Sequence, residues 1–121
     1  MPSVATEQLA RALVHLAWIH LRRNDPKSQP LLEQVDALHR ERPLPDEVQA
    51  EVEQTWGEYW RCAGQLPKAL AHKQRALNIY ERLGDQRSAL STCNNLSLIY
   101  GEARDLERAL HYGHRVLDAA R

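Results

Sequence analysis

Residues 56–70 read WGEYWRCAGQLPKAL, and residues 96–110 read LSLIYGEARDLERAL. The second stretch repeats the small and apolar residues of the first at an offset of 40 positions. The identical pairs at this offset are Ala63 with Ala103, Leu66 with Leu106, Ala69 with Ala109, Leu70 with Leu110, Arg75 with Arg115 and Leu77 with Leu117. Self-similarity at a fixed period of roughly 20 to 50 residues is typical of stacked repeats. The sequence therefore predicts a repeat protein.

The same offset extends toward the N-terminus, although this first unit matches less well. Ala17 stands opposite Gly57, and His20 stands opposite Trp60. Three such units fit into a chain of 121 residues. We therefore expect one repeat domain over residues 1–121, with units at about 4–42, 46–83 and 85–121.

Each unit is predicted to contain two helices. In the first unit, one helix begins near Val4 and ends at Asn24, after which Asp25 is a suitable N-cap and Pro26 fits a first helical turn. The second helix must stop before the proline pair of residues 42–45, because proline lacks the backbone donor that a helix needs. Helical spacing predicts a shared face in the first helix for Leu9, Ala12, Leu13, Leu16 and Ile19.

The later helices have clear start and stop residues. Asp46, with Gln49 three positions on, has the form of a capping box for a third helix that runs to about Cys62. Pro67 opens the fourth helix, and Gly84 is predicted to end it in the left-handed conformation. Aspartates at 85 and 105 are predicted to cap the fifth and sixth helices. The sequence therefore predicts an all-α fold of antiparallel helix pairs.

Composition and charge argue against several kinds of partner. The 16 basic and 16 acidic side chains balance, so no net field favours nucleic acid or anionic lipid. No apolar stretch approaches the roughly 18 residues that cross a membrane. Residues 1–7 show no basic run followed by an apolar block, which argues against a secretory signal. Two cysteines without close spacing suit a reducing compartment. We expect a cytoplasmic protein that binds neither nucleic acid nor membrane.

The reactive side chains do not form a recognisable catalytic or metal site. The serines and cysteines lie in no nucleophile turn, and the 5 glycines build no phosphate loop. His111 and His114, with Glu107 and Asp118 nearby, could share a helix face, but ligands along one helix cannot easily close a tetrahedron around a metal. Surface or interface histidines are the favoured interpretation. We expect no enzyme activity, no metal and no cofactor.

The signature spacings resemble those of tetratricopeptide repeats. In the middle unit the residues that carry the resemblance are Trp56-Gly57, Trp60, Gly64 and Ala69, and in the last unit they are Leu96-Ser97, Tyr100 and Ala109. The 40-residue period and the segment 93–100, CNNLSLIY, are similar to the kinesin-light-chain and Leu-Gly-Asn branch and to the repeat arrays of bacterial transcription regulators. The resemblance implies three antiparallel helix pairs stacked as a short right-handed α-solenoid.

The resemblance also implies a concave groove that holds a protein or peptide ligand, lined by the first helix of each pair. By that analogy, the groove residues are Arg11, His15, Trp18, Arg22, Glu51, Gln54, Thr55, Glu58, Arg61, Ser91, Asn94, Asn95, Leu98 and Glu102. The matching family asparagine clamps a ligand backbone, which makes Asn95 the prime candidate, since an amide can donate and accept at once. The alternative is that Asn94 and Asn95 bond locally to neighbouring helices.

The remaining candidates are an aromatic residue and the last helix. Trp18 has no structural place in the repeat signature, so it could anchor a partner. The last helix carries an apolar flank with the candidate oligomer interface Leu106, Leu110, Val116 and Leu117. Either the chain is part of a larger regulator, or it forms an isologous homodimer through this helix. Two functions follow: a peptide-binding scaffold, as the sensory or docking part of a bacterial regulator, or a structural homo-oligomerisation module.

Overall fold

The computed structural model describes residues 4–120, which fold into helices without any strand in that range. The helices are α1 (Val4–Arg22), α2 (Ser28–Glu41), α3 (Asp46–Cys62), α4 (Leu66–Leu83), α5 (Gln86–Glu102) and α6 (Leu106–Ala119). Consecutive helices pair as α1 with α2, α3 with α4 and α5 with α6, while α1 against α3 and α4 against α5 join neighbouring pairs. The predicted all-α repeat solenoid is confirmed.

Two apolar clusters hold the stack together. The first cluster joins α1, α2 and α3 through residues that include Ala17, Val35 and Trp56. The second joins α3, α4 and α5 through residues that include Leu77 and Leu96. α6 adds only partly buried side chains to the second cluster, and none of its described residues is fully buried.

The 40-residue period is visible in the backbone between the helices of each pair. Asn24, Gly64 and Arg104 all adopt left-handed conformations, with φ of 56°, 76° and 64°. The next residue in each unit donates its N–H to the carbonyl five positions earlier, at 2.8, 2.8 and 2.9 Å. Asparagine and glycine tolerate this conformation, and Arg104 adopts it because the turn geometry is the same. The first unit, although weakest in sequence, therefore has the same turn.

The predicted N-caps are confirmed at α5 and α6 and wrong at α2 and α3. Asp85 and Asp105 accept hydrogen bonds from Ser88 N at 3.1 Å and from Arg108 N at 3.2 Å. Asp46 caps nothing, because Pro45 is the N-cap residue of α3 and no side chain caps that end. The predicted N-cap Asp25 instead accepts from Lys27 N in a local turn, and α2 begins only at Ser28.

The predicted buried face of α1 was also wrong. Leu9 and Leu16 are 50% and 44% exposed, so these two large leucines lie outside the core. The face that packs on α2 and α3 is made by Ala10, Leu13, Val14, Ala17 and Leu21. Both sets obey helical spacing, and the set with the small alanines allows the closer approach of the backbones. Only Leu13 was assigned to the correct face.

The predicted ends of α4, including Gly84 at φ 72°, are confirmed.

Candidate functional site

A groove runs along one side of the stack, between α1, α3 and α5. Its larger part is a hollow of about 790 Å³, and a second hollow of about 260 Å³ adjoins it, since both are lined by Trp18, Lys73 and Asn95. The predicted groove residues that line these hollows are Arg11, His15, Trp18, Glu51, Gln54, Thr55, Glu58, Arg61, Ser91, Asn95 and Leu98. Arg22, Asn94 and Glu102 line neither hollow.

Sequence reasoning missed one central groove residue, Lys73 of α4. Its side chain is only 2% exposed, although it lies between the two hollows. The alkyl stem lies against Gly57, where an added Cβ would be 2.9 Å from Lys73 Cγ. Gly57 was the available sequence signal, because a glycine in α3 leaves room for a long side chain of the paired helix α4. The groove floor therefore carries a buried cation. The other unpredicted lining residues are Val14, Tyr80, Ser88 and Ile99.

A chain of hydrogen bonds leads from Lys73 across three helices. Lys73 Nζ donates to Gln54 Oε1 at 2.8 Å, and Gln54 Nε2 donates to Thr92 Oγ1 at 2.6 Å. Thr92 Oγ1 in turn donates to the carbonyl of Ser88 at 2.9 Å. These bonds join α4 to α3 and α3 to α5. Gln54, predicted to face a ligand, is therefore committed to the internal structure.

Burial governs the charge state of this network. Desolvation lowers the pKa of Lys73 to about 8, and the nearby Glu58 carboxylate, 4.0 Å from Nζ, offsets only part of that effect. Burial also raises the pKa of Tyr80 to about 12 at the other end of the groove, with Glu51 contributing. The ammonium is therefore held at an energetic cost that a neutral side chain would not have.

The arginines at the edges of the groove form ion pairs with glutamates. Arg61 donates to Glu58 at 3.0 Å and to Glu102 at 2.8 Å, which links α3 to α5. The bond to Glu102 is the main cause that raises the pKa of Arg61. Arg11 pairs with Glu7 at 3.1 Å within α1. These guanidinium groups already have carboxylate partners, whereas the exposed Glu51 carboxylate in the larger hollow has no ion-pair partner among the described residues.

Several polar side chains of the groove have no partner within residues 4–120. Asn95, Ser91 and His15 make no side-chain hydrogen bond there, and neither does Asn94 outside the groove. The alternative that Asn94 and Asn95 bond locally to neighbouring helices is therefore wrong. Asn95 is half-buried and lines both hollows, so its amide is available to a ligand there.

The tryptophans separate into two structural roles. Trp56 is buried, donates from Nε1 to Asp36 at 3.1 Å and stacks on Trp60 with ring centroids 6.1 Å apart. Trp60 in turn lies under Lys68 Nζ at 4.3 Å, a cation–π contact. Trp18 is 37% exposed and lines both hollows. Trp18 is therefore an accessible aromatic surface in the groove.

Three further features concern metal ligands, thiols and membrane-spanning helices. Among residues 4–120, no group of three or more His, Cys, Asp or Glu side chains could hold a metal. Cys62 is exposed and Cys93 is buried, and both are free thiols. No described helix combines the length and apolar character needed to span a bilayer.

The fold and the groove define a helical-repeat scaffold. The family model described as tetratricopeptide repeat matches residues 50–121, which is more than half of the chain. The chain belongs to the tetratricopeptide repeat family, a non-enzymatic scaffold family whose members mediate protein–protein interactions. No curated protein matches the chain, and no solved structure does so.

Proposed function

We propose that the chain is a scaffold that binds an extended peptide segment of a partner protein in the groove between α1, α3 and α5. The observation that carries this proposal is the unpartnered Asn95 amide, half-buried in the groove beside the accessible ring of Trp18. An amide can accept from a peptide N–H and donate to a peptide C=O, which suits recognition of a backbone. Recognition of this kind does not depend on the side chains of the ligand.

The surroundings of Asn95 indicate the chemistry of the ligand. Trp18 and the exposed Leu98 both line the smaller hollow and offer apolar contact to one ligand side chain. The arginines are already paired with carboxylates, so an acidic ligand gains little from them. The preferred ligand is therefore an extended segment that is not acidic and has one apolar or aromatic residue that packs on Trp18.

The finer assignments belong to the same proposal. The 40-residue period supports membership in the kinesin-light-chain and Leu-Gly-Asn type of repeat, as found in bacterial regulators. On that basis the chain is a cytoplasmic sensory or docking part, with residues 1–121 acting as one repeat domain. Its partner is a protein or peptide, not nucleic acid or a membrane.

A matched pair of asparagine variants tests the groove. Asn95 lines both hollows and its neighbour Asn94 lines neither. The two alanine variants therefore remove the same kind of side chain, once inside the groove and once outside it. We would select binders for the wild-type chain from a displayed library of random peptides and measure their dissociation constants by fluorescence polarisation. Asn95→Ala should weaken binding about tenfold, the effect of losing about 1.4 kcal/mol in buried hydrogen bonds.

The comparison with Asn94 decides the outcome. Asn94→Ala should leave the affinity unchanged, and Trp18→Ala should lower it. Equal affinities of Asn94→Ala and Asn95→Ala would contradict the groove proposal. So would a library that yields no binder for a well-folded wild-type chain.

Self-association through α6 is the second candidate function. Leu106, Leu110 and Leu117 are 66%, 61% and 57% exposed on this helix. Val116, also predicted for this interface, instead packs against the second apolar cluster. Of the residues predicted for this interface, the three leucines are therefore the exposed ones.

A further inference from the structure

The exposed side of α6 carries an apolar notch. Its volume is about 370 Å³, and its lining residues are Ser97, Leu106, Ala109, Leu110, Gly113, His114 and Leu117. Gly113 forms the floor, where an added Cβ would be 3.3 Å from Ser97 Oγ. Apolar surface of this kind is costly to leave in water.

The repeat shows what covers the corresponding side of α4. At the offset of 40, Leu110 corresponds to Leu70 and Leu117 to Leu77. Leu77 is 1% exposed and belongs to the second apolar cluster, which also contains Leu96 of α5, and Leu70 packs against the same cluster. Inside the molecule, the first helix of the next repeat therefore covers this face.

The opposite end of the stack exposes the complementary surface. At the offset of 80, Leu9 of α1 corresponds to Ala89 of α5, and Leu16 corresponds to Leu96. Ala89 and Leu96 are both buried in the second cluster, between α4 and α5. Leu9 and Leu16 are about half exposed, since no described helix covers this side of α1. α1 thus presents to solvent the surface that α5 buries against α4.

We propose that α6 of one copy packs against α1 of a second copy, head to tail, in the way that α4 packs against α5 within each chain. Leu110 and Leu117 of one copy would contact Leu9 and Leu16 of the other. The joint continues an interface already present in the fold. It gives a definite geometry to the self-association named above and does not depend on peptide binding.

The joint would differ from the internal packing at one position. Where α4 has the buried Lys73, α6 has Gly113, so no ammonium group is desolvated between copies. An interface between two different surfaces forms an open filament unless the rotation between copies closes a ring, so the assembly grows beyond a dimer as protein concentration rises. Along it, α5 of one copy and α1 of the next would line one continuous groove.

A pair of end-blocking variants tests the arrangement. Leu16→Glu places a charge on the α1 surface, and Leu110→Glu places one on the α6 surface, both at exposed positions that the folded monomer tolerates. In sedimentation velocity, wild type should form species larger than a dimer as concentration rises. Each variant alone should be monomeric. An equimolar mixture should form a dimer and nothing larger, since each variant keeps one intact end.

Leu83→Glu is the matched control, because Leu83 is exposed at the end of α4 and belongs to neither end surface. It should assemble like wild type, and circular dichroism should show equal helicity for all chains. If Leu16→Glu still dimerises while Leu110→Glu does not, self-association stands but is isologous through α6, and the head-to-tail joint is refuted. A mixture that stays monomeric also refutes it. A monomeric wild type at several hundred micromolar overturns both forms of self-association.

Discussion

α4 and α6 occupy equivalent places in consecutive repeats and share much of their sequence, yet they differ sharply in burial. In α4 the second apolar cluster encloses Leu77, and Lys73 is buried beside it. In α6 the equivalent residues are the exposed Leu117 and the half-buried Gly113, and no described residue is fully buried. The difference lies in the neighbours, because α5 follows α4 and no described helix follows α6. Burial in a repeat is therefore a property of the stack as much as of the sequence.

The largest predicted effect contrasts the two equivalent leucines. Leu77→Ala should lower the free energy of unfolding by about 3 kcal/mol, since it leaves a cavity in the second cluster. Leu117→Ala should change the stability of the monomer by less than about 0.5 kcal/mol. Urea denaturation of dilute protein measures both. Similar losses for the two variants would show that α6 is covered in the monomer too.

The next effect depends on Lys73, which has no counterpart in α6. Its pKa is about 8 in the folded chain and 10.5 as the ordinary value, so between these pH values the unfolded chain binds the additional proton and stability rises with pH. Tyr80 acts in the opposite sense above pH 10, because its pKa rises from 10.0 to about 12 on folding. Stability should peak near pH 10, about 2 kcal/mol above its value at pH 8.

Lys73→Met isolates this contribution, since it keeps the length of the side chain and removes the charge. Its free energy of unfolding, measured by urea denaturation at several pH values, should not rise between pH 8 and pH 10. If the variant and the wild type show the same slope, Lys73 is not the group responsible.

The smallest effect contrasts the starts of the two helices. Asp105 caps α6, whereas Gln65, its equivalent before α4, makes no capping bond. Asp105→Ala should cost about 1 kcal/mol, and Gln65→Ala much less. Amide hydrogen exchange in α6 and α4 reports each loss locally. Because α6 has the less extensive packing, fraying confined to α6 is expected, and equal protection in both variants would contradict it.

The repeat itself could be predicted from the sequence with considerable detail. The caps Asp85 and Asp105 and the left-handed Gly84 are set by local chemistry, which a single sequence records. The period of 40 gave the helix pairs directly. The groove was located by family resemblance, and most of the predicted residues line it. Whether a ligand binds there is the subject of the asparagine test.

The errors arose where tertiary contacts decide between equivalent local patterns. In α1, two overlapping stripes satisfy helical spacing, and only the position of α2 and α3 selects Ala10 and Ala17 over Leu9 and Leu16. Asp46 is a good capping residue by type, but the chain enters α3 through Pro45. Lys73 is charged, and charged side chains are seldom buried, but Gln54 Oε1 accepts a hydrogen bond from its ammonium group and Gly57 makes room for its stem.

The links between the helices that line the groove differ in kind, which has a mechanical consequence. α3 is tied to α5 by directional bonds at both Gln54–Thr92 and Arg61–Glu102. α1 meets α3 through apolar side chains such as Val14 and Val52, whose contacts have no fixed direction. A load that spreads the groove would therefore displace α1 from α3 more than it displaces α3 from α5. The solenoid is therefore stiffer between α3 and α5 than between α1 and α3, and α1 is the helix expected to move when the groove widens.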